Sequence, residues 1–404
     1  MPSFEQARRL ILESVEPLEA EPVELLEAQG RVLAEDIIAP WNLPGCDNSA
    51  MDGYAVRAQD CQGAVPLRIT GYLPAGSAAD LSLAPGCAIK VMTGAPIPAG
   101  CDTVVPLENA EEREGQVWIP ALVSSNQHIR FAGEDVRCGE IIVSSGKLVR
   151  PAEISMLASC GKATVWVHRR PQVAILSTGD ELIPVGETPS RGKVVDSNGI
   201  ALAASVRECG ATPVILGIAR DNPASHIEKM TEGLRADVLV TSAGVSVGER
   251  DLVRQTLTGL GVRQLFGGVD IRPGAPMWFG LKDKTPIFSL PGNPVASLIV
   301  FEEFVRPAVL RMMGHRRVLK PTVRAILQDS VRKKPGKIRL MRVRLELVDG
   351  KRLAYSAGEQ STGRLKTMLQ ADGIALLAAE KTMFSPGDEV DVHVLSPEME
   401  MLEP

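Results

Sequence analysis

Between Pro171 and Pro294 the chain repeats one pattern: a short apolar run, a loop of Ser, Thr, Gly, Asp and Asn, then a helical periodicity. Val173–Leu176 leads into Ser177-Thr-Gly-Asp-Glu181, and Val194-Val195 leads into Asp196-Ser-Asn198. Val214–Ile218 leads into Arg220-Asp-Asn-Pro223, Asp237–Val240 into Thr241-Ser-Ala-Gly-Val-Ser-Val-Gly248, and Ile287–Leu290 into Pro291-Gly-Asn-Pro294. Runs this short and this uniformly apolar cannot be amphipathic surface strands. They belong to a mostly parallel sheet covered on both faces, a three-layer α/β/α domain. In such sheets ligands bind beyond the carboxyl ends of the strands, where these polar loops fall.

The flanking segments differ. Phe4–Val15 places apolar residues at 4, 7, 10, 11 and 15 behind a Ser3 N-cap, which predicts an amphipathic helix; Pro22–Gln29 predicts a second, short one ended by Gly30. From Tyr54 to Val143 short strands alternate with Gly and Pro turns, a small β-domain. Pro151–Cys160 returns to helix, so the β segment reads as an insertion. A long helix over Val295–Met313 precedes a strand-rich tail that predicts a C-terminal β-barrel-like domain. The expected division is 1–45 with 144–170, an inserted β-domain over 46–143, the α/β/α domain over 171–314 and a C-terminal β-domain over 315–404. A chain of 404 residues agrees with that count, since about 100–150 residues suffice for one core.

Charge is unevenly spread. Residues 1–36 carry nine acidic and three basic side chains, and residues 315–344 carry eleven basic and one acidic, although the net charge is −5. The basic run lacks interleaved aromatics for base stacking, so no nucleic-acid partner is expected. Seven scattered cysteines without a C-x-x-C pair argue against disulfides or structural zinc and fit a reducing, cytoplasmic setting. Five separated histidines offer no H-x-x-x-H metal pair. No signal-peptide pattern opens the chain and no stretch is apolar enough to span a membrane.

Chemistry concentrates in the loops. In Ser177, Thr178, Gly179, Asp180 and Glu181, hydroxyls and backbone N–H groups suit an anion and the carboxylates suit a metal or proton, although an ordinary polar turn has the same composition. Around Ser242, Gly244, Ser246 and Gly248, small residues let successive N–H groups converge into an anion nest. Asp196, Asp221 and Asp251 each follow a strand, where each could also serve only as a helix cap. Together these carboxylates suit Mg²⁺, which takes one or two of them plus substrate phosphates. Gly244-Val-Ser246-Val-Gly248 matches a nucleophile elbow, but Thr241-Ser-Ala separates it from the strand end and no H-G-G-G segment accompanies it. Outside the sheet, Asp47-Asn-Ser-Ala-Met-Asp-Gly-Tyr-Ala55 sets two carboxylates five residues apart in a polar loop; Val91–Pro98 and Gly133-Glu-Asp135 are similar loops.

These strings, with Met92-Thr-Gly-Ala-Pro96, Asp196-Ser-Asn198, Gly244-Val-Ser-Val-Gly-Glu249 and Leu290-Pro-Gly-Asn-Pro294, resemble in order and over nearly the whole chain the molybdopterin molybdenumtransferase family, which includes the gephyrin E domain. The resemblance implies an elongated, four-domain subunit in a homodimer, with the α/β domain carrying the molybdopterin-nucleotide site and the partner subunit helping to close it. It implies a Mg²⁺-dependent reaction in which adenylylated molybdopterin and molybdate are substrates and AMP leaves. It implies functional roles for Asp52, Thr93, Asp135, Glu181, Asp221, Asp251, Pro291 and Pro294, with Glu181, Asp221 and Asp251 toward the metal and Gly292, Asn293 and Arg272 toward the ligand. A molybdopterin adenylyltransferase and cofactor-accepting apoenzymes are the protein partners it implies.

Two strings depart from the family pattern. The usual basic-Pro-Gly-Lys-Pro is Arg272-Pro-Gly-Ala-Pro276, and the usual Gly-Gly-Val-Ser is Ala243-Gly-Val-Ser246. Loss of the lysine removes a flexible point charge from an anion site. Other readings are an adenylyltransferase, which uses a similar α/β domain, and a non-enzymatic molybdopterin-binding scaffold.

Overall fold

The computed structural model describes residues 1–63, 65–77, 80–243 and 252–395. The chain divides into two compact units. One comprises Met1–Ala34, Gly146–Val149 and Val165–Pro404; the other comprises Glu35–Ser145 and Arg150–Thr164.

The first unit contains the six-stranded sheet. Its order is Thr212–Ala219, Gln172–Thr178, Val238–Ser242, Thr285–Leu290, Trp278–Lys282, Arg263–Gly267. The first four strands are parallel and the last two run antiparallel to their neighbours. Alternating side chains enter two separate cores. Val173, Ile175, Val238, Val240 and Phe288 face a core shared with Leu202, Val206, Ile299 and Phe304. Ala174, Leu176, Leu239 and Ile287 face the other, with Met230, Val253 and Leu257. Burial on both faces is why these strands read as unbroken apolar runs, and it makes the domain the expected α/β/α sandwich.

Three expectations need correction. Pro22–Gln29 is no α-helix: Ala20–Glu24 is a strand with alternating exposure, and only Leu25–Ala28 forms a 3₁₀ turn. Val194–Val195 lies outside the main sheet, in a two-stranded parallel pair with Leu182–Ile183. The Val295–Met313 helix is interrupted, with Phe301–Val305 forming one π-helical turn between Pro294–Val300 and Arg306–Met312. Pro307 has no N–H to give to the Glu303 carbonyl four residues back, and Arg8 Nε donates to that carbonyl at 3.3 Å instead.

The N-terminal helix, Phe4–Glu13, forms with the Ser3–Gln6 capping box, Gln6 N–H donating to Ser3 Oγ at 3.2 Å and Ser3 N–H to Gln6 Oε1 at 2.9 Å. Its Phe4, Ala7 and Ile11 are buried in the first core, with Phe4 edge-on to Phe304 at 5.5 Å between centroids. Arg8 pairs with the buried Glu303, whose carboxylate also meets His393 Nδ1 at 2.9 Å.

The C-terminal strands Ile338–Val348, Lys351–Ser356, Thr322–Leu327, Glu389–Val394 and Gly373–Leu377 close on themselves, the last pairing with the first. This is the expected barrel. The short strand Ile271–Arg272 joins it, Ile271 opposite Ile338 and Arg272 opposite Arg339 in parallel register.

The second unit holds its own six-stranded sheet, ordered Thr103–Pro106, Gly53–Val56, Cys87–Val91, Leu67–Leu73, Gln116–Trp118, Glu111–Arg113. Tyr54, Val56, Leu67, Ala88, Val105 and Val117 pack one of its cores. Among the described residues no helix is long and apolar enough to cross a membrane, and all seven cysteines are free.

Candidate functional site

Three parallel strands, Gln172–Thr178, Val238–Ser242 and Thr285–Leu290, bring their carboxyl ends side by side at one edge. Asn198, in the first turn of the Ser197–Glu208 helix, joins two of these ends: its side-chain amide donates to Ser242 Oγ at 2.9 Å and to the Gly292 carbonyl at 2.8 Å. Asp196 caps that helix, accepting from Gly199 N–H at 3.0 Å. Gly199 has to be glycine, since a Cβ there would stand 2.7 Å from Asp196 Oδ2 and 3.0 Å from Ser177 Oγ.

A cavity of about 1000 Å³ opens here. Glu181, Asp196, Ser242, Pro291, Gly292, Asn293 and Pro294 line it, as do Asn198, Arg254, Ala275 and Lys337. The size suits a ligand of nucleotide–pterin dimensions. Asn293 precedes the Pro294–Val300 helix, which has Pro294 in its first turn, so Pro291–Pro294 presents a helix start to the cavity.

A smaller recess of about 200 Å³ shares Glu181 and Ala243 with the cavity and adds Thr178, Gly179, Asp221 and His226. Asp180 and Asp221 lock the two turns that carry it: Asp180 N–H donates to Asp221 Oδ2 at 3.3 Å, and Asp221 N–H donates to Asp180 Oδ1 at 3.2 Å. Capping of the Pro223–Gly233 helix falls to Asn222, which accepts from Ser225 N–H at 2.9 Å. Asp221 is therefore released from the role that made it ambiguous in sequence. Two basic residues brace the Gly179–Leu182 turn through carbonyls, Arg220 Nη1 to Leu182 at 2.9 Å and Lys193 Nζ to Asp180 at 2.6 Å. Gly179 has φ +140°, and a Cβ there would lie 2.4 Å from Glu181 Oε2. The carboxylate occupies space that only glycine leaves.

Glu181 and Asp221 offer hard oxygen donors on one recess. Among the described residues no group of three or more His, Cys, Asp or Glu could cage an ion by itself. That donor set fits Mg²⁺, which keeps waters and shares its remaining positions with substrate phosphate. His226 was missed in sequence because only paired histidines were sought. It is buried, neither ring nitrogen meets a partner among the described residues, and burial pushes its pKa down while Asp221 works the other way.

Other expected residues take different places. Ser177 is buried beneath the edge and lines neither space, whereas Thr178 lines the recess. Arg272 is exposed and outside the cavity wall, although Ala275 and Pro276 of the same loop are in it. Gly244, Ser246, Gly248 and Asp251 lie outside the described residues. Ala243, where the family pattern has glycine, holds φ +75°. An L-residue there is strained by about 1–2 kcal/mol, and glycine would repay part of that relief in unfolded-chain entropy. Ala243→Gly is therefore expected to stabilise the protein by up to about 1 kcal/mol, read as a higher urea midpoint.

The second unit assembles its own loop set. Asp52 accepts from Thr93 N–H at 2.7 Å and from Thr93 Oγ1 at 2.8 Å, bonds that hold its carboxyl below the usual range, the backbone donor foremost. Ser49 N–H donates to the Ala95 carbonyl at 2.9 Å. Asp47 Oδ1 accepts from Ala132 N–H at 2.8 Å, tying in the loop of Asp135, which is exposed.

A mostly parallel α/β/α domain with a polar cavity at its strand ends, accompanied by a β insertion and a barrel, defines the architectural class. Family models match along the chain: the MoeA N-terminal region (domain I and II) over residues 2–161, the probable molybdopterin binding domain over 174–311, and the MoeA C-terminal region (domain IV) over 324–395. A molybdopterin molybdenumtransferase 2 of Mycobacterium tuberculosis is 35% identical over 403 residues, covering 97% of this chain and 99% of that protein. A molybdopterin molybdenumtransferase of Nostoc sp. is 35% identical over 405 residues, covering 96% and 93%. The crystal structure of a molybdopterin biosynthesis moeA protein from Pyrococcus horikoshii superposes with a TM-score of 0.82 at 30% identity, covering 98% of this chain and 100% of that one. The chain belongs to the molybdopterin molybdenumtransferase family.

Proposed function

We propose that the protein acts in molybdenum cofactor biosynthesis as a transferase that inserts molybdenum, taken from molybdate, into adenylylated molybdopterin with release of AMP. The observation that carries this reading is the cavity at the strand ends with its adjoining carboxylate recess. One space is large enough for a pterin–nucleotide, and Glu181 and Asp221 stand beside it without being spent on helix caps.

Glu181, Asp221 and, by sequence, Asp251 would hold Mg²⁺, which supplies charge neutralisation and polarisation at a phosphoanhydride. The chain's own groups orient the ligand. Asn198 fixes the strand end at Ser242 and the Gly292 turn relative to each other, and Asp180 with Arg220 and Lys193 fixes the turn that carries Glu181. No nucleophilic side chain is needed, because the oxyanion and the dithiolene are both substrates. Asp52, Thr93 and Asp135 belong to the reaction as a second loop set. The domain division read from sequence, a homodimer and a cytoplasmic location complete the proposal.

The test is reconstitution: purified protein supplied with adenylylated molybdopterin, Mg²⁺ and molybdate should yield cofactor that activates an apo-molybdoenzyme. An adenylyltransferase would instead need ATP and unmodified molybdopterin. A scaffold would bind the substrate and yield neither active cofactor nor AMP.

A further inference from the structure

The Pro223–Gly233 helix buries His226, Met230 and Gly233, one inward stripe at helical spacing. The stripe lies so close to the sheet that a Cβ on Gly233 would stand 2.7 Å from Leu239 Cδ1 and 2.9 Å from Leu216 Cδ1. Met230, Leu216 and Leu239 share one hydrophobic core, so the first place in the stripe calls for an apolar residue. It holds a histidine instead, 1% exposed, with Nδ1 and Nε2 both buried and both without a hydrogen-bond partner among the described residues. Buried polar atoms are costly when left unpaired, and a leucine here would carry none.

His226 is also where this stripe meets the carboxylate recess, whose wall it shares with Glu181, Asp221 and Thr178. The Thr178 hydroxyl is spent on the Ser242 carbonyl at 3.4 Å. Gly179, Ala243, Leu252 and Val253 complete the wall and add no polar side chain. The polar side chains left to act on the recess are therefore two carboxylates and one imidazole. Burial pushes the imidazole pKa down while Asp221 works the other way, and the neutral ring carries one N–H and one open lone pair. These groups do not form a cage for a bare ion. They suit a hydrated one: Mg²⁺ keeps several of its waters, and such a water can pair a buried nitrogen that has no protein partner.

We propose that His226 is a positioning residue for the divalent cation of this recess, bonding a water carried by an ion that Glu181 and Asp221 ligate. The proposal rests on the function proposed above for the presence of that ion. It accounts for a polar ring on the apolar face of this helix.

Titration of the full chain with Mn²⁺ alone, free ion being read from its electron paramagnetic resonance signal, tests this, since Mn²⁺ shares the oxygen-ligand preference of Mg²⁺. His226→Leu keeps a similar bulk on the apolar face and should raise the Mn²⁺ Kd by about tenfold or more, as expected when a group that orients a metal's ligands is lost. His226→Gln keeps a hydrogen-bonding group and should bind within about threefold of the parent. Urea unfolding without metal separates this from a packing role: the His226→Leu midpoint should equal or exceed the parent's, because two unpaired nitrogens leave the core. Unchanged Mn²⁺ affinity in His226→Leu, or no Mn²⁺ binding by the parent, would overturn the assignment. A weakened affinity that comes with a lower metal-free midpoint and is not restored in His226→Gln would also overturn it, as the result of a merely structural role. If Glu181→Gln abolishes Mn²⁺ binding while His226→Leu leaves it intact, the assignment falls and the proposed function stands. The expected pattern without any AMP release would leave the assignment standing and count against the proposed reaction.

Discussion

Glu181→Gln and Asp221→Asn are each expected to lower molybdate-dependent turnover by at least about 100-fold while the protein stays folded, a loss typical of removing one charged group from a preorganised site. Both substitutions keep the side-chain shape and remove the charge. Neither carboxylate caps a helix, since Asn222 does that work beside Asp221. Asp221→Asn also weakens the reciprocal bonding with Asp180, so some of its effect should appear as looser ligand binding. The Glu181 carboxylate accepts no hydrogen bond among the described residues, and loss of its charge should act electrostatically. Measured as AMP release at saturating substrate, with circular dichroism as the check on folding, full activity in both variants would remove the recess from the site. Gly179→Ala should reproduce the Glu181 defect without touching its charge, because the new methyl group would displace the carboxylate.

Phe304→Ala is expected to destabilise the protein by about 3–5 kcal/mol. Phe304 is fully buried in the π-helical turn and meets Phe4 edge-on at 5.5 Å. Collapse around the lost ring is resisted from two sides: Phe4 is held by its capped helix, and neighbouring Glu303 is held by Arg8 and His393. The cavity left behind should therefore stay largely open. Urea unfolding should show the effect as a lower midpoint. A change under about 1 kcal/mol would mean that the N-terminal helix does not share this core.

The sheet was legible because burial on both faces leaves no room for polar alternation: Val173–Leu176, Asp237–Val240 and Ile287–Leu290 could be little else. Val194–Val195 deceived for the same reason, two β-branched residues before a polar loop, although two residues are too few to commit a strand to the sheet. Pro22–Gln29 looked helical by spacing, whereas Pro22 and the alternation of Ala20–Glu24 favoured extension. Pro307 marked the break in the long helix locally, but the donor that satisfies the freed Glu303 carbonyl was invisible, since it is Arg8, almost three hundred residues away. For the site, sequence located the strand-end loops but could not separate caps from free carboxylates. Asp196 proved to be a cap and Asp221 did not, a distinction set by Asn222 one position later. Asn198, Arg220, Lys193 and His226 went unnoticed because their roles depend on partners distant in sequence. Lys337 reaches the cavity wall from farther still, beside the parallel pairing of a barrel strand with Ile271–Arg272.

The central claim is that this chain couples molybdate to the release of AMP from adenylylated molybdopterin. Its most direct test is AMP release by the purified chain with Mg²⁺, with and without molybdate. The account predicts AMP formed only when molybdate is present, in equal amount to the molybdenum bound on the pterin. AMP released at the same rate without molybdate, or no AMP in either case, would contradict it.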